Sequence, residues 1–185
     1  YVLKKNKGIY HKVNVVDDYI EMIKSQINID REISCIMDCG NSVGGLVAPY
    51  LFKELGIIVT EIYCDINPNF PNHHPDPTVD SNLLDIANKI KASKYDLGVA
   101  FDGDADRVVA LDEKGDIIRP DILLALFIPE IINEGDSVVY DVKCSKALED
   151  TIQQYKGNPV MYKTGHSLIK NKMIESKSKL GGELR

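Results

Sequence analysis

Ile33-Ser-Cys-Ile-Met-Asp-Cys-Gly-Asn-Ser-Val-Gly-Gly45 is the stretch that decides the architecture. Its first five residues form a short apolar run of the kind a strand covered on both faces needs. The next eight lack the bulk that would resist a sharp reversal. The spacing predicts a buried strand over 33–37, a glycine-rich turn over 38–45 and a helix to about Leu55, with Gly56 as the left-handed residue after the helix. Strand, turn and helix in that order open an α/β unit.

Outward from this stretch the alternation continues. A strand is expected over 57–64, followed by an irregular segment over 65–80, where Pro68, Pro71, Pro75 and Pro77 exclude strand or helix interior. An amphipathic helix follows from Asn82 to about Lys91, then a buried strand over 97–101 and another over 107–111 that turns back through Glu113-Lys-Gly-Asp116. The pattern then repeats as helix 120–132, strand 137–142, helix 145–155, strand 159–163 and a helix from His166 to about Glu175. The expected fold class is therefore α/β: two consecutive α/β domains with mixed sheets between helices, residues 1–114 and 115–185, the second truncated. The repetition is one of architecture, without obvious sequence identity.

Composition sets outer limits. Of 185 residues 27% are charged and 44% hydrophobic, which is too apolar for a disordered tail. Lys and Arg number 22 against 28 Asp and Glu, a net charge of −6 with no basic cluster, so neither nucleic acid nor an anionic membrane surface is an expected partner. The longest apolar stretch, 122–129, falls well short of the roughly 18 residues a membrane span requires. Residue 1 is Tyr and no signal pattern follows, so the numbering is expected to start inside a longer protein or after processing. Cys35, Cys39, Cys64 and Cys144 contain no C-x-x-C pair and sit mostly in strand-like runs. They read as buried reduced thiols, which points to a cytoplasmic location.

The strongest chemical signal is Asp102-Gly-Asp-Ala-Asp-Arg107. Three carboxylates at i, i+2 and i+4, separated by small residues, can turn their oxygens onto one hard cation, and without a counterion they would repel. A solvated acidic turn is the plain alternative. An EF-hand would place Gly where Arg107 stands and helices on both sides, so it is rejected. A haloacid-dehalogenase-type phosphatase also carries Asp-x-Asp after a buried strand, with Asp102 as nucleophile, but would normally have Thr or Val at position 106. Asn72-His-His-Pro-Asp-Pro77 is a rigid loop with two imidazoles. Zinc held by His73, His74 and cysteines lacks a matching ligand spacing, which favours a turn packed on the neighbouring unit with one histidine near a phosphate site. Asp141-Val-Lys-Cys-Ser145 and Lys163-Thr-Gly-His-Ser167 put Lys143 and His166 at the carboxyl ends of successive strands, where α/β folds bind ligands. Two basic groups placed so can face one anionic substrate.

Taken together, 38–45, Phe70-Pro-Asn-His-His-Pro-Asp-Pro77, Gly98-Val-Ala-Phe-Asp-Gly-Asp-Ala-Asp-Arg107, Asp141-Val-Lys-Cys144, Lys163-Thr-Gly-His-Ser167 and Gly181-Gly-Glu-Leu184 resemble the α-D-phosphohexomutases, in particular their bacterial phosphomannomutase/phosphoglucomutase branch. The resemblance runs from about Val13 onward and matches the second domain and the first part of the third in a four-domain enzyme. The domains with the phosphorylated serine and the last phosphate-binding site would lie outside it. It implies Mg²⁺ on Asp102, Asp104 and Asp106, Arg107 beside the transferring phosphoryl group, Lys143 and His166 as acid/base and substrate-binding candidates, and Glu183 in a loop gripping sugar hydroxyls. The implied substrates are mannose or glucose 1- and 6-phosphate, with a hexose bisphosphate intermediate. A non-catalytic metal-binding scaffold is the reading for the chain taken alone. Two departures stand out: Arg185 where the family's sugar loop has Ser, and Ala105 where Gly is common, read as sterically mild.

Overall fold

In the computed structural model, which describes residues 8–184, the alternation folds into two sheets. The first unit runs α1 (Val16–Lys24), β1 (Ser34–Asp38), α2 (Ala48–Glu54), β2 (Ile58–Ile62), α3 (Leu84–Ala92), β3 (Leu97–Phe101), β4 (Val108–Leu111) and β5 (Ile117–Ile118). Single 3-10 turns at Val43–Leu46 and Asp80–Leu83 lead into α2 and α3. The second unit runs α4 (Pro120–Ile131), β6 (Ser137–Asp141), α5 (Lys146–Gln154), β7 (Asn158–Tyr162), α6 (His166–Ser176) and β8 (Leu180–Gly182).

The first sheet has the order β2-β1-β3-β4-β5, parallel through β3 and antiparallel beyond it. The second, β7-β6-β8, is wholly parallel, a departure from the mixed sheet expected for that unit. In each, the chain adds strands first to one side of the central strand and then to the other. This makes the carboxyl ends of β1/β3 and β6/β8 topological switch points, where the connecting loops diverge and leave a crevice.

Alternation within each strand splits the core. Ile36, Ile62, Ala100, Val109 and Leu111 pack under Leu83, Ile86 and Ile90 of the α3 region, while Cys35, Met37, Cys39 and Val99 face α2. In the second unit Val138 and Tyr140 meet Leu124 and Ile128 of α4 and Leu148 and Ile152 of α5. Gly56 takes φ +83 after α2, as expected of a helix-terminating glycine. Two elements were not read from sequence. Helix α1 carries Val16, Tyr19, Ile20 and Ile23 at helical spacing, a signal the sequence reading passed over, and fully buries only Ile20 of them. Strand β8 contains Gly181 and Gly182, which look like loop. A side chain at Gly181 would meet Met173 Sδ at 2.6 Å and the Val139 carbonyl oxygen at 3.0 Å, and one at Gly182 would meet Leu124 at 3.1 Å, so glycine lets α6 and α4 pack closely on the strand. Among the described residues no helix is long and apolar enough to cross a membrane.

Candidate active site

The acidic loop begins where β3 runs out. Asp102 is 1% exposed, and its carboxylate folds the loop back on itself: Arg107 donates to Oδ1 from its backbone N–H at 3.0 Å and to Oδ2 from Nε at 2.7 Å. The Asp102 carbonyl accepts from the Ala105 N–H at 3.1 Å and from Ser42 Oγ, at the glycine-rich turn, at 3.2 Å. Burial alone would push the Asp102 carboxyl up, but the Arg107 bonds hold it below the ordinary carboxylate range. Arg107 also points Nη1 toward Asp76, at 3.5 Å, on the proline-rich loop.

This geometry brings one ligand oxygen each from Asp102, Asp104 and Asp106 within 4.8 Å of one another, with Asp104 and Asp106 exposed. The Asp106 carboxyl is pushed up by desolvation and by the charges of Asp104 and Asp102. Arg107, 3.6 Å from Asp106 as well as bonded to Asp102, offsets only part of this like charge, and three converging hard oxygens are the donor set a divalent cation such as Mg²⁺ fits. The loop lies between strands, in keeping with the rejection of an EF-hand. Ala105 sits at φ +59, which corrects the expectation of a mild substitution: glycine adopts this conformation freely, whereas for alanine it costs about 1 kcal/mol.

The second sheet repeats the device with another buried carboxylate. Asp141 ends the central strand β6 with no exposed surface, and its oxygens gather three loops. Thr164 Oγ1 donates to it at 2.7 Å, Cys144 Sγ lies at 3.2 Å, and the backbone N–H groups of Lys143 and Leu184 both donate at 3.3 Å. Burial would push this carboxyl up; these donors together pull it below its ordinary value. One residue thus fixes the segments carrying Lys143, His166 and Glu183. Asp141→Ala is expected to lower stability by about 2–3 kcal/mol, a fall of roughly 4–12 °C in the melting temperature of the 185-residue chain, because several buried donors lose their acceptor. The stabilisation from a depressed carboxyl is present above the unfolded value of about 3.9 and is lost as pH falls through the folded one. Acid unfolding should therefore be shallower in the variant.

A cleft of about 420 Å³ between the two units is lined by Asp106, Arg107, His166 and Glu183, with Pro77 and Thr78 at its edge. His166 is exposed as the first residue of α6; Glu183 accepts from the Gly165 N–H just before that helix at 2.6 Å. Lys143 is not in this cleft. It lines an adjoining cavity of about 420 Å³ with Arg119 and Leu184, separated from the first by shared residues Pro77, Thr78 and Pro120. Arg119 is itself held by both oxygens of Asp80, at 2.8 and 2.7 Å, across the junction of the units. Arg185 lies outside the described residues.

Among the described residues the acidic loop is the one group suited to a metal, and His73 is engaged otherwise. Its Nε2 lies 2.9 Å from Oδ2 of Asp38, which is 1% exposed, and its Nδ1 lies 2.9 Å from the His74 carbonyl. Burial favours the neutral form of both partners, but both ring nitrogens face acceptors, so the shared proton belongs on His73 and its imidazole is pushed up. Asp38 also accepts from the Gly40 N–H at 2.7 Å and is the counterpart of Asp141 at the end of β1. Asp38, Asp76 and Asp141 were absent from the candidate site residues. An acid ending a buried strand was the available signal for the first and last.

Residues 17–115 match the family description "Phosphoglucomutase/phosphomannomutase, alpha/beta/alpha domain II", and residues 119–184 match that of domain III. The chain belongs to the phosphoglucomutase/phosphomannomutase family. A phosphomannomutase/phosphoglucomutase of Pseudomonas aeruginosa is 45% identical over 98% of this chain, and a phosphoglucomutase of Neisseria gonorrhoeae is 38% identical over 100%. This chain spans about 40% of the length of either relative. The crystal structure of a phosphoglucomutase/phosphomannomutase family protein from Burkholderia thailandensis superposes with a TM-score of 0.91 at 44% identity, over 95% of this chain and 39% of that one. Within the phosphoglucomutase/phosphomannomutase fold, the cleft described above lies where domain II meets domain III.

Proposed function

We propose that the full-length protein is a phosphohexomutase that interconverts hexose 1-phosphate and hexose 6-phosphate, with mannose or glucose as the sugar. It would act through a phosphoserine supplied by another domain and a hexose bisphosphate intermediate. The observation that carries this reading is the cleft, in which the acidic loop of one unit faces His166 and Glu183 of the other. Residues 1–114 then act as the metal-loop domain and 115–185 as the start of the sugar-phosphate domain.

Asp102, Asp104 and Asp106 would hold the Mg²⁺, which when bound supplies charge neutralisation to the phosphoryl oxygens. Arg107, oriented by Asp102 and Asp76, presents its guanidinium to the same negative charge. His166, at a helix N-terminus that favours anions, takes and returns the proton of the sugar hydroxyl. Lys143, beside Arg119, clamps phosphate from the neighbouring cavity, and Glu183 accepts from sugar hydroxyls. The free thiols suit a cytoplasmic setting.

The phosphatase alternative would normally carry Thr or Val at position 106, where this chain places the third carboxylate of the acidic cluster. The test is direct. Full-length protein is expected to interconvert the 1- and 6-phosphates of mannose or glucose in a Mg²⁺-dependent assay, and the 185-residue chain alone is expected to show no turnover. Trapping of an aspartyl phosphate on Asp102, or turnover by the isolated chain, would refute the scheme.

A further inference from the structure

We infer that Cys39 and Cys64 form a site of reversible oxidation, closing to an intramolecular disulfide when the protein meets a hydroperoxide. Their Sγ atoms lie 3.4 Å apart, so an approach of about 1.4 Å reaches the bonding distance of about 2.05 Å.

The pair exists because of a break in β-alternation. Along β1 the residues Cys35, Met37 and Cys39 face α2, and in the parallel register Asp38 pairs with Ile62. Continued pleating would place Tyr63 beside Cys39 and turn Cys64 to the opposite face. Tyr63 instead adopts φ +54. The phase slips by one residue: Tyr63 packs with the Ile36 and Ile62 cluster, and Cys64 enters the cluster of Cys35, Met37 and Cys39. A left-handed conformation in a bulky aromatic residue costs about 1 kcal/mol or more, and here it delivers the second thiol to the first.

The surroundings hold the pair in place on one side and leave it yielding on the other. A Cβ at Gly45 would lie 1.9 Å from the Cys64 carbonyl oxygen, and the Asn41 N–H donates to the Tyr63 carbonyl at 2.6 Å, so the glycine-rich turn and the end of β2 move together. Beyond Cys64 the chain enters the irregular proline-rich segment, which can absorb the small shift that closure requires. The turn so fastened is the one whose Ser42 hydroxyl reaches the Asp102 carbonyl, directly behind the acidic loop.

The chemistry has a defined order. Cys39 has no exposed surface, whereas Cys64 is half-buried. The hydrogen bond with Cys64, together with burial, pushes the Cys39 thiol up, and the same hydrogen bond pulls the Cys64 thiol down. Burial pushes Cys35 and Cys144 up to about 12. The Cys64 thiolate attacks one peroxide oxygen; the O–O bond breaks, hydroxide leaves and is protonated to water, and Cys64 becomes a sulfenic acid. The Cys39 sulfur then attacks the Cys64 sulfur; the S–S bond forms, the S–O bond breaks, and the Cys39 proton departs in a second water. Two thiols lose two electrons and one hydrogen peroxide becomes two waters.

The test exposes the folded 185-residue chain to hydrogen peroxide, blocks residual thiols by alkylation and maps a non-reducing digest by mass spectrometry. The expected map contains a peptide pair joined through Cys39 and Cys64, leaves Cys35 and Cys144 as thiols, and reverts on dithiothreitol. Cys39→Ser is expected to stop at a Cys64 sulfenic acid trapped by dimedone, while Cys64→Ser leaves Cys39 unmodified. Linkage through Cys35 or Cys144, or progression of wild-type Cys64 to sulfinic acid without linkage, would overturn the inference. The wild-type map decides if either serine variant fails to fold.

Discussion

Asp104→Asn in the full-length protein is expected to lower turnover by about 100- to 1,000-fold while changing the Michaelis constant for sugar phosphate by less than about threefold. The substitution is informative because of where Asp104 sits. It is an exposed member of the acidic triad, and the bonds that shape the loop run through Asp102, Ala105 and Arg107. Asparagine therefore leaves the loop standing and removes one charge from the donor set. Loss of one carboxylate charge weakens a hard-cation site, here by about tenfold or more, which calorimetric titration of Mg²⁺ into the 185-residue chain can measure. Asp102→Asn is the poorer probe, since it also removes the ion pair that Arg107 Nε makes with Asp102 at 2.7 Å. Equal losses in turnover and substrate binding, with Mg²⁺ affinity intact, would show that the triad is structural.

The acidic triad was legible in the sequence because everything it needs is local. The apolar run of β3 stops at Phe101, and the next five residues carry three acids spaced by Gly and Ala. β3 itself was read at the bounds the fold gives it, for the same reason. Asp141 shows the opposite case. Its place at a strand end was visible, but Thr164 and Leu184 lie 23 and 43 residues away in sequence, and only the parallel pairing of β6 with β7 and β8 brings them to its oxygens. β8 failed as a strand in the reading because glycine is locally unfavourable there; the close packing that favours it involves Met173 and Leu124, which are non-local. The adjacency of Cys39 and Cys64 was equally hidden, since it depends on one residue's backbone, Tyr63, leaving the pleat. Periodicity reports which face a side chain occupies only while the pleat is unbroken.

His166→Ala in the full-length protein is expected to lower the rate by about ten- to a thousand-fold and to remove a limb of the pH–rate profile near neutrality. Lys143→Ala is expected to weaken substrate binding as well as rate. An imidazole ordinarily titrates near ~6.5 and can exchange a proton at neutral pH, whereas an ammonium near ~10.4 stays charged unless desolvated, and a dianionic phosphate nearby favours the charged form further. The geometry separates the two residues in the same sense. His166 shares its cleft with Arg107 and Asp106, beside the place where the phosphoryl group would transfer, and Lys143 shares its cavity with Arg119, a second permanent cation. Lys143 is exposed there, and Arg119, fixed in place by Asp80, stands beside it, an arrangement suited to holding a phosphate. Measuring both variants across pH 5–9 for turnover and for the Michaelis constant separates the roles. A neutral limb that survives in His166→Ala and disappears in Lys143→Ala would reverse the assignment, and would require the full-length protein to desolvate Lys143 by closing another domain over its cavity.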